Sequence, residues 1–152
     1  MLLIIFADNL PENRFNIQLS EAVGAEKAHL IHNKIQEHIA LISKDLYCGK
    51  WVYYSGNIKN DDVFENSIFK KKLQIGIDLG EKMKNAFLEG FNNGYRKIIL
   101  INCDSFEMES HIFEQAFEML DNSDAVLGPS LEGNYYLMGL RHMFKELFEN
   151  KV

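Results

Sequence analysis

Short, wholly apolar runs alternate along this chain with longer segments whose apolar residues recur at helical spacing. Leu2–Ala7 and Ile98–Ile101 show no polar alternation, which is typical of strands that are covered on both faces. Trp51–Tyr54 predicts a further strand, which ends at Gly56-Asn57. Two later segments complete the predicted strands, Ala125–Leu127 and Tyr135–Leu140.

Apolar residues spaced along one helix face mark the segments between the strands. The predicted helices cover Ala25–Ser43, Leu79 to about Gly94, a segment that begins near Glu109 or Ser110, and Met143–Phe148. Gly94 lies where a left-handed helix cap is usual, so it marks the end of the second helix.

The polar stretch Asn57–Asp78 predicts a long connection with one short element over Ser67–Phe69, and the run Lys70–Lys72 predicts a solvated turn. Strands that alternate with helices predict an α/β fold with right-handed crossovers. We therefore expect a three-layer sandwich, with a mostly parallel sheet and helices on both faces, in one domain over residues 1–152.

The composition and charge of the chain exclude some classes of function. The 152 residues are 47% hydrophobic and 25% charged, as in an ordinary globular protein, and the net charge is −6. No nucleic-acid interface is expected, because such surfaces need a clustered basic face. Cys48 and Cys103 have no C-x-x-C spacing, and nothing else suggests a disulfide framework. No apolar run is long enough for a membrane span, and the first residues do not resemble a signal peptide, so a cytoplasmic location is expected.

The central strand ends on a carboxylate, Asp104, and open α/β sheets bind ligands at the carboxyl ends of their strands. Loops 8–18, 103–107 and 128–135 should meet at this edge. Their charged side chains are Asp8, Glu12, Arg14, Asp104, Glu107 and Glu132. Two or three converging carboxylates could hold Mg²⁺ or Mn²⁺, which prefer oxygen ligands and also bind phosphates. The alternative is that these residues only solvate loops.

Other chemistries have weaker support. The chain has no Walker A, G-x-G-x-x-G or G-x-S-x-G motif. His29, His32 and His38 lie on one predicted helix without a partner at ligand spacing, so zinc is not expected. Cys103 lies in an apolar strand, where cysteines are usually inert.

Two motifs carry a family resemblance. Gln74–Met83 reads QIGIDLGEKM and is similar to Q-x-G-x-D-L-G-E-R-M, with Lys82 in place of Arg. Asp124–Leu140 reads DAVLGPSLEGNYYLMGL and is similar to D-x-V-x-G-P-x-x-D-G-G-Y-Y-L-x-G. Both motifs, in this order, resemble a bacterial family of small GT-A-type glycosyltransferases associated with radical-SAM selenodomain proteins. That family is distantly similar to nucleotidyltransferases.

The resemblance implies a nucleotide-diphospho-sugar transferase-like fold and a nucleotide or nucleotide-sugar ligand. It implies Asp104 as the ligand of Mg²⁺ or Mn²⁺ and Glu132 as a catalytic base or ligand near the acceptor. The implied substrate-binding residues are Asp8, Arg14, Gln74, Asp78, Gly133, Asn134 and Tyr135. A homodimer is a further expectation, because a shortened sheet would leave an open edge.

The chain departs from the family where phosphates should bind. The family's basic P-G-x-V-K-T-R-L segment is replaced around Asn16, Ile17 and Gln18, which leaves Arg14 as its basic residue. The chain also ends at Val152, where family members usually continue, so we expect a C-terminally short member. Two hypotheses follow: a metal-dependent glycosyltransferase or nucleotidyltransferase, or a catalytically silent member that acts as a binding or regulatory protein.

Overall fold

The computed structural model describes residues 1–9, 17–131 and 133–149. Within these ranges the predicted strands and helices occur in the predicted order, together with one strand and one helix that were not predicted. The strands are β1 (Leu2–Ala7), β2 (Gly49–Tyr54), β3 (Lys70–Leu73), β4 (Ile98–Asn102), β5 (Ala125–Pro129) and β6 (Tyr135–Leu140). The helices are α1 (Ile17–Val23), α2 (Ala25–Ser43), α3 (Leu79–Asn92), α4 (Ser110–Met119) and α5 (Glu146–Glu149). None of these helices has the length and apolar character needed to cross a bilayer.

All six strands belong to one sheet in the order β3-β2-β1-β4-β6-β5. The first four of these run parallel, whereas β6 pairs antiparallel with both β4 and β5. The central pair, β1 and β4, is in register from Leu2 opposite Ile98 to Phe6 opposite Asn102. The predicted mostly parallel sheet is therefore confirmed.

Successive residues of β1 point to opposite faces of the sheet, and both faces are covered. Leu3 and Ile5 pack in the same cluster as residues of α2 and α4. Ile4 and Phe6 pack in a second cluster with residues of α3 and α5. Burial on both faces explains why β1 has no polar alternation, and the predicted three-layer arrangement is confirmed.

Two predictions for the connecting segments were wrong. Lys70–Lys72 is not a solvated turn but the start of β3, which pairs with β2 at the edge of the sheet. No regular element covers Ser67–Phe69. Ile17–Val23 forms helix α1, which was not predicted and whose first two residues fall in the predicted loop 8–18. None of its residues is buried, so no apolar face marked it in the sequence.

An ion pair and two cation–π contacts explain how three lysines fit in β3. The ammonium of Lys71 lies 2.7 Å from Oδ1 of Asp62, and the two side chains are only 5% and 12% exposed. Asp62 also accepts a hydrogen bond from the Tyr54 hydroxyl. The ammonium groups of Lys70 and Lys72 lie 5.3 and 4.3 Å from the centre of the Trp51 ring, within the range of a cation–π contact.

Candidate functional site

Two aspartates follow the paired central strands at the carboxyl edge of the sheet. Asp8 comes directly after β1, and Asp104 lies two residues beyond β4. The amide of Cys103 donates to the carbonyl of Phe6 over 3.1 Å, which continues the pairing past the end of β4. Asp8 and Asp104 line one cavity of about 410 Å³. Its other lining residues are Phe6, Leu19, Ala28, His32, Ile35, Ser55, Gln74, Leu79, Lys82, Asn102 and Cys103.

Asp8 is fixed in position by neighbours on both sides. The Ser55 hydroxyl donates to its Oδ1 over 2.7 Å. Its backbone carbonyl accepts from Nε2 of His32 at 2.7 Å and from Nε2 of Gln36 at 3.1 Å, both on α2. Four residues separate these two side chains, so they lie on the same face of the helix. Ser55, which follows β2, thus holds the carboxylate, and α2 holds the backbone of the same residue.

The loop after β1 is joined to the loop after β2 by a second contact. Oδ1 of Asn9 accepts from the amide of Gly56 at 2.7 Å, and the amide of Asn9 donates to the Ser55 hydroxyl oxygen at 3.2 Å. A Cβ on Gly56 would come within 2.9 Å of that same Oδ1, so a larger residue would displace the Asn9 side chain from this contact. Ser55, Asn9 and Gly56 were not among the predicted site residues.

Asp104 is exposed to solvent at the edge of the cavity. Partial burial by the surrounding protein raises the pKa of its carboxyl. A hydrogen bond from its own backbone lowers the pKa by a smaller amount, so the net pKa is raised. Burial, and then the Asp104 carboxylate, raise the pKa of the Cys103 thiol. Cys103 therefore stays a thiol at neutral pH, which agrees with the prediction that it is no nucleophile.

The start of α3 forms another wall. Asp78 caps the helix by accepting from the amide of Glu81 at 2.9 Å, and Glu81 in turn accepts from the amide of Ile77 at 2.6 Å. This arrangement is a variant of the capping box, because Glu81 accepts from the amide one residue before the cap; Asp78 therefore has a structural role, and it does not line the cavity. Gln74 and Lys82, on either side of this cap, do line it.

A second cavity, of about 500 Å³, lies on the other side of Asp104, which lines both. Its remaining lining residues are Ser105, Glu107, Met108, Ile112, Pro129, Ser130, Leu131, Asn134, Tyr135 and Tyr136. Gly133 lies in the hairpin between β5 and β6 with φ of 80°, a conformation that favours glycine, and it does not line this cavity. The three loops predicted to meet at this edge contribute residues to these two cavities.

Three predicted residues, Glu12, Arg14 and Glu132, lie outside the described residues. Of the others, Asp8, Gln74 and Asp104 share the first cavity, while Asn134 and Tyr135 face the second. Lys82, Ser55 and His32 were missed as lining residues. A cationic side chain in the Gln74–Met83 motif was the available signal for Lys82.

The described residues could supply only some of the ligands of a divalent metal ion. In the part of the chain that is described, no group of three or more His, Cys, Asp or Glu side chains is placed to hold a metal. Mg²⁺, however, is commonly bound by one or two carboxylates together with substrate phosphates and water. Asp104, a carboxylate whose charge is incompletely solvated, fits that mode of binding.

Solved structures with the same fold support this architecture. A candidate nucleotide-diphospho-sugar transferase from Desulfovibrio desulfuricans is 23% identical, with a TM-score of 0.91 over 99% of this chain and 68% of that one. A 4-diphosphocytidyl-2C-methyl-D-erythritol synthase is 11% identical, with a TM-score of 0.55 over 92% of this chain and 74% of that one. The expected nucleotide-diphospho-sugar transferase-like fold is thus confirmed.

Comparisons of sequence identify the family. No curated protein matches the chain. A bacterial family matches residues 34–151, a range that includes the motifs around Gln74 and Tyr135. The chain therefore belongs to the family described as "Uncharacterized protein conserved in bacteria (DUF2064)".

Proposed function

We propose that this protein binds a nucleotide-sugar at the carboxyl edge of its sheet and is a transferase of the nucleotide-diphospho-sugar type. The observation that carries the proposal is that two cavities meet at one carboxylate, Asp104. A transferase needs adjacent places for a donor and an acceptor, with the reacting centre between them. Cavities of about 410 and 500 Å³ are in the size range of small-molecule sites.

The first cavity is the proposed donor site. It lies over the ends of β1, β2 and β4, where open α/β sheets bind ligands. Asp104 would hold Mg²⁺ or Mn²⁺ there, and the ion would offset the negative charge of a diphosphate next to the carboxylates. Ser55, His32 and Gln36 keep Asp8 in place, so this wall is formed before the ligand binds.

The second cavity is the proposed acceptor site. Tyr135 and Tyr136 both line it. The hydroxyl of Tyr135 lies 3.8 Å from Sδ of Met83. Aromatic rings beside polar groups such as Ser130 and Asn134 suit a polar organic acceptor. Glu107 lines the same cavity, and Glu132 is expected near the acceptor from its position in the motif.

A catalytically silent binding protein is the second candidate. The observation that favours it is the replacement of the basic segment by Asn16, Ile17 and Gln18, which removes charge from the expected phosphate site. A nucleotidyltransferase is the third, and its support is the likeness of fold to the 4-diphosphocytidyl-2C-methyl-D-erythritol synthase. All three share nucleotide binding in the first cavity and differ in what happens next.

A ligand panel tests the shared step. UDP-, GDP- and ADP-sugars and the free nucleotides are added at millimolar concentration, with Mn²⁺ or Mg²⁺, while thermal unfolding is followed. A ligand at 100 times its Kd should add about 2.7 kcal/mol of stability, roughly 5–10 °C for a domain of this size. If none of these ligands shifts unfolding, the proposal is wrong.

The products separate the candidates. A bound nucleotide-sugar that is slowly hydrolysed to sugar and nucleoside diphosphate supports the transferase. Release of pyrophosphate from a nucleoside triphosphate with a sugar phosphate supports the nucleotidyltransferase. Binding with neither reaction, across a range of acceptors and metals, supports the silent binding protein.

A further inference from the structure

One lysine lines the first cavity, whose other described lining residues are two carboxylates and a set of uncharged polar and apolar side chains. Lys82 is half-buried in the first turn of α3 and lines this cavity together with Asp8 and Asp104. Among the lining residues that the structure describes, it is the only lysine or arginine. Its neighbours in the wall, Gln74 and Leu79, carry no charge.

Lys82 has no partner of its own in the described part of the chain. Its backbone amide continues the helix by donating to the carbonyl of Asp78 at 3.0 Å, but its side chain forms no hydrogen bond or ion pair with a described residue. Glu81 and Asp78, the nearest acidic residues in sequence, are both engaged in the capping box instead. The ammonium group thus has no counter-ion among the described residues, and an anionic ligand in the cavity would supply one.

The other lysine of α3, Lys84, has a different environment from that of Lys82. Lys84 lies two residues further along and therefore points to another side of the helix. Its ammonium pairs with Glu149 of α5 at 3.1 Å, away from the cavity. The two lysines share a helix and a charge, but only Lys82 presents its charge to the cavity without a partner.

The backbone around Lys82 fixes where its helix begins. Gly76 has φ of 149°, and a Cβ there would lie 2.7 Å from the Lys82 backbone nitrogen. The loop before α3 thus packs directly on the turn that carries Lys82. Asn85 adds a further tie, because its Nδ2 donates to the carbonyl of Ile75 at 2.8 Å. The lysine is therefore presented from a fixed turn and not from a free loop.

We infer that Lys82 is the residue that binds the diphosphate of the ligand in this cavity, taking the place of the basic loop segment that the sequence lacks. The inference rests on the proposed nucleotide site and names the group that recognises its anionic part. A lysine ammonium is a usual partner of phosphate oxygens and acts as a point charge. The diphosphate would lie between Lys82 on α3 and a metal ion at Asp104.

Binding measurements with graded ligands test this inference. The probes are inorganic pyrophosphate, the diphosphates UDP, GDP and ADP, and the corresponding nucleosides, each with Mg²⁺. The variants are Lys82→Met, Lys82→Arg and the control Lys84→Met. We expect Lys82→Met to weaken diphosphate and pyrophosphate binding by about tenfold or more, and Lys82→Arg and Lys84→Met to stay within about threefold of the wild type. Nucleoside binding should not change with any variant.

Two further readouts exclude a merely structural role. The thermal unfolding of unliganded Lys82→Met should match that of the wild type, because the side chain has no partner to lose. Diphosphate binding to the wild type should weaken with added salt more steeply than binding to Lys82→Met.

Each outcome has a distinct meaning. Equal diphosphate binding by wild type and Lys82→Met overturns this inference and leaves the proposed function standing. Lys82-dependent binding of pyrophosphate without any binding of nucleotides supports the inference and overturns the proposed function. If the wild type binds none of the probes, both are overturned.

Discussion

The hydroxyl of Ser55 donates a 2.7 Å hydrogen bond to Oδ1 of Asp8, and this bond joins the ends of two neighbouring parallel strands. Ser55 follows β2, Asp8 follows β1, and both line the first cavity. The backbone reinforces the connection, because the amide of Ser55 donates to the carbonyl of Ala7 at 3.2 Å. The Ser55 side chain thus orients a carboxylate that lines the proposed donor site.

Removal of this hydroxyl should affect binding more than folding. We expect Ser55→Ala to lower the free energy of unfolding by about 1 kcal/mol, since the lost bond is charge-assisted but partly solvated. Binding of UDP, GDP or ADP with Mg²⁺ should weaken several-fold, because the Asp8 carboxylate loses the bond from Ser55 that orients it. Ser67, exposed in the turn of residues 66–68, provides the control, and Ser67→Ala should change neither quantity in denaturant unfolding or titration calorimetry. Equal effects of the two substitutions would contradict the positioning role of Ser55.

The ion pair of Lys71 and Asp62 should dominate the stability of the β3 edge. Both groups are nearly buried, and Lys71→Met would leave the Asp62 carboxylate with only its bonds from the Tyr54 hydroxyl and the Phe64 amide. We expect a loss of about 2–4 kcal/mol in urea unfolding. Lys34→Met removes the exposed pair with Glu37, whose side chains are 67% and 48% exposed, and should cost less than about 0.5 kcal/mol. A similar loss in both variants would show that burial of the pair does not matter.

Gly76 should be intolerant of any side chain. Gly76→Ala places a methyl group 2.7 Å from a backbone nitrogen that cannot move without shifting α3, and φ of 149° adds strain. Gly94→Ala is a matched control, because φ is 89° and no atom lies within 4 Å of its Cβ. We expect Gly94→Ala to cost about 1 kcal/mol and Gly76→Ala at least 1 kcal/mol more. Only Gly76→Ala should also weaken binding of pyrophosphate; the reverse order in thermal unfolding would refute the close packing.

Asp104 should make stability depend on pH. Its pKa is raised in the folded protein, so the folded state holds a proton that the unfolded state has already released. Stability must therefore fall as pH rises from the usual aspartate range through the raised pKa. We expect Asp104→Asn to unfold at a higher temperature than the wild type at pH 7, with the difference vanishing at pH values below the usual aspartate range. An equal difference at every pH would mean that the charge is not responsible. Added Mg²⁺ and nucleoside diphosphate should reduce the difference at pH 7.

The sequence predicts the centre of this fold better than its edges. β1 and residues 98–101 of β4 are wholly apolar because helices cover both faces of these strands, and that pattern is visible in the residues themselves. β3 was missed because its strand character depends on partners far along the chain. Lys71 needs Asp62, and Lys70 and Lys72 need Trp51, and none of these contacts follows from periodicity.

The candidate site likewise contains some residues that the sequence predicts and others that it does not. Asp8 and Asp104 could be found because each follows a recognisable strand, and parallel strands bring their ends to one edge. His32 and Gln36 are predicted helix residues whose partner is a backbone carbonyl, and a carbonyl has no sequence signature. Whether Lys82 faces a cavity depends on the rotation of α3, which the packing of Met83 and Phe87 against the sheet decides.

The most direct test of the central claim is calorimetric titration of UDP, GDP and ADP into the wild type and Asp104→Asn, each with Mn²⁺ and with EDTA. We expect at least one diphosphate to bind the wild type about tenfold or more tightly with Mn²⁺ than with EDTA, and Asp104→Asn to lose that difference. Binding that is equally tight with EDTA, or an undiminished Mn²⁺ effect in Asp104→Asn, would contradict a metal-assisted diphosphate site at Asp104.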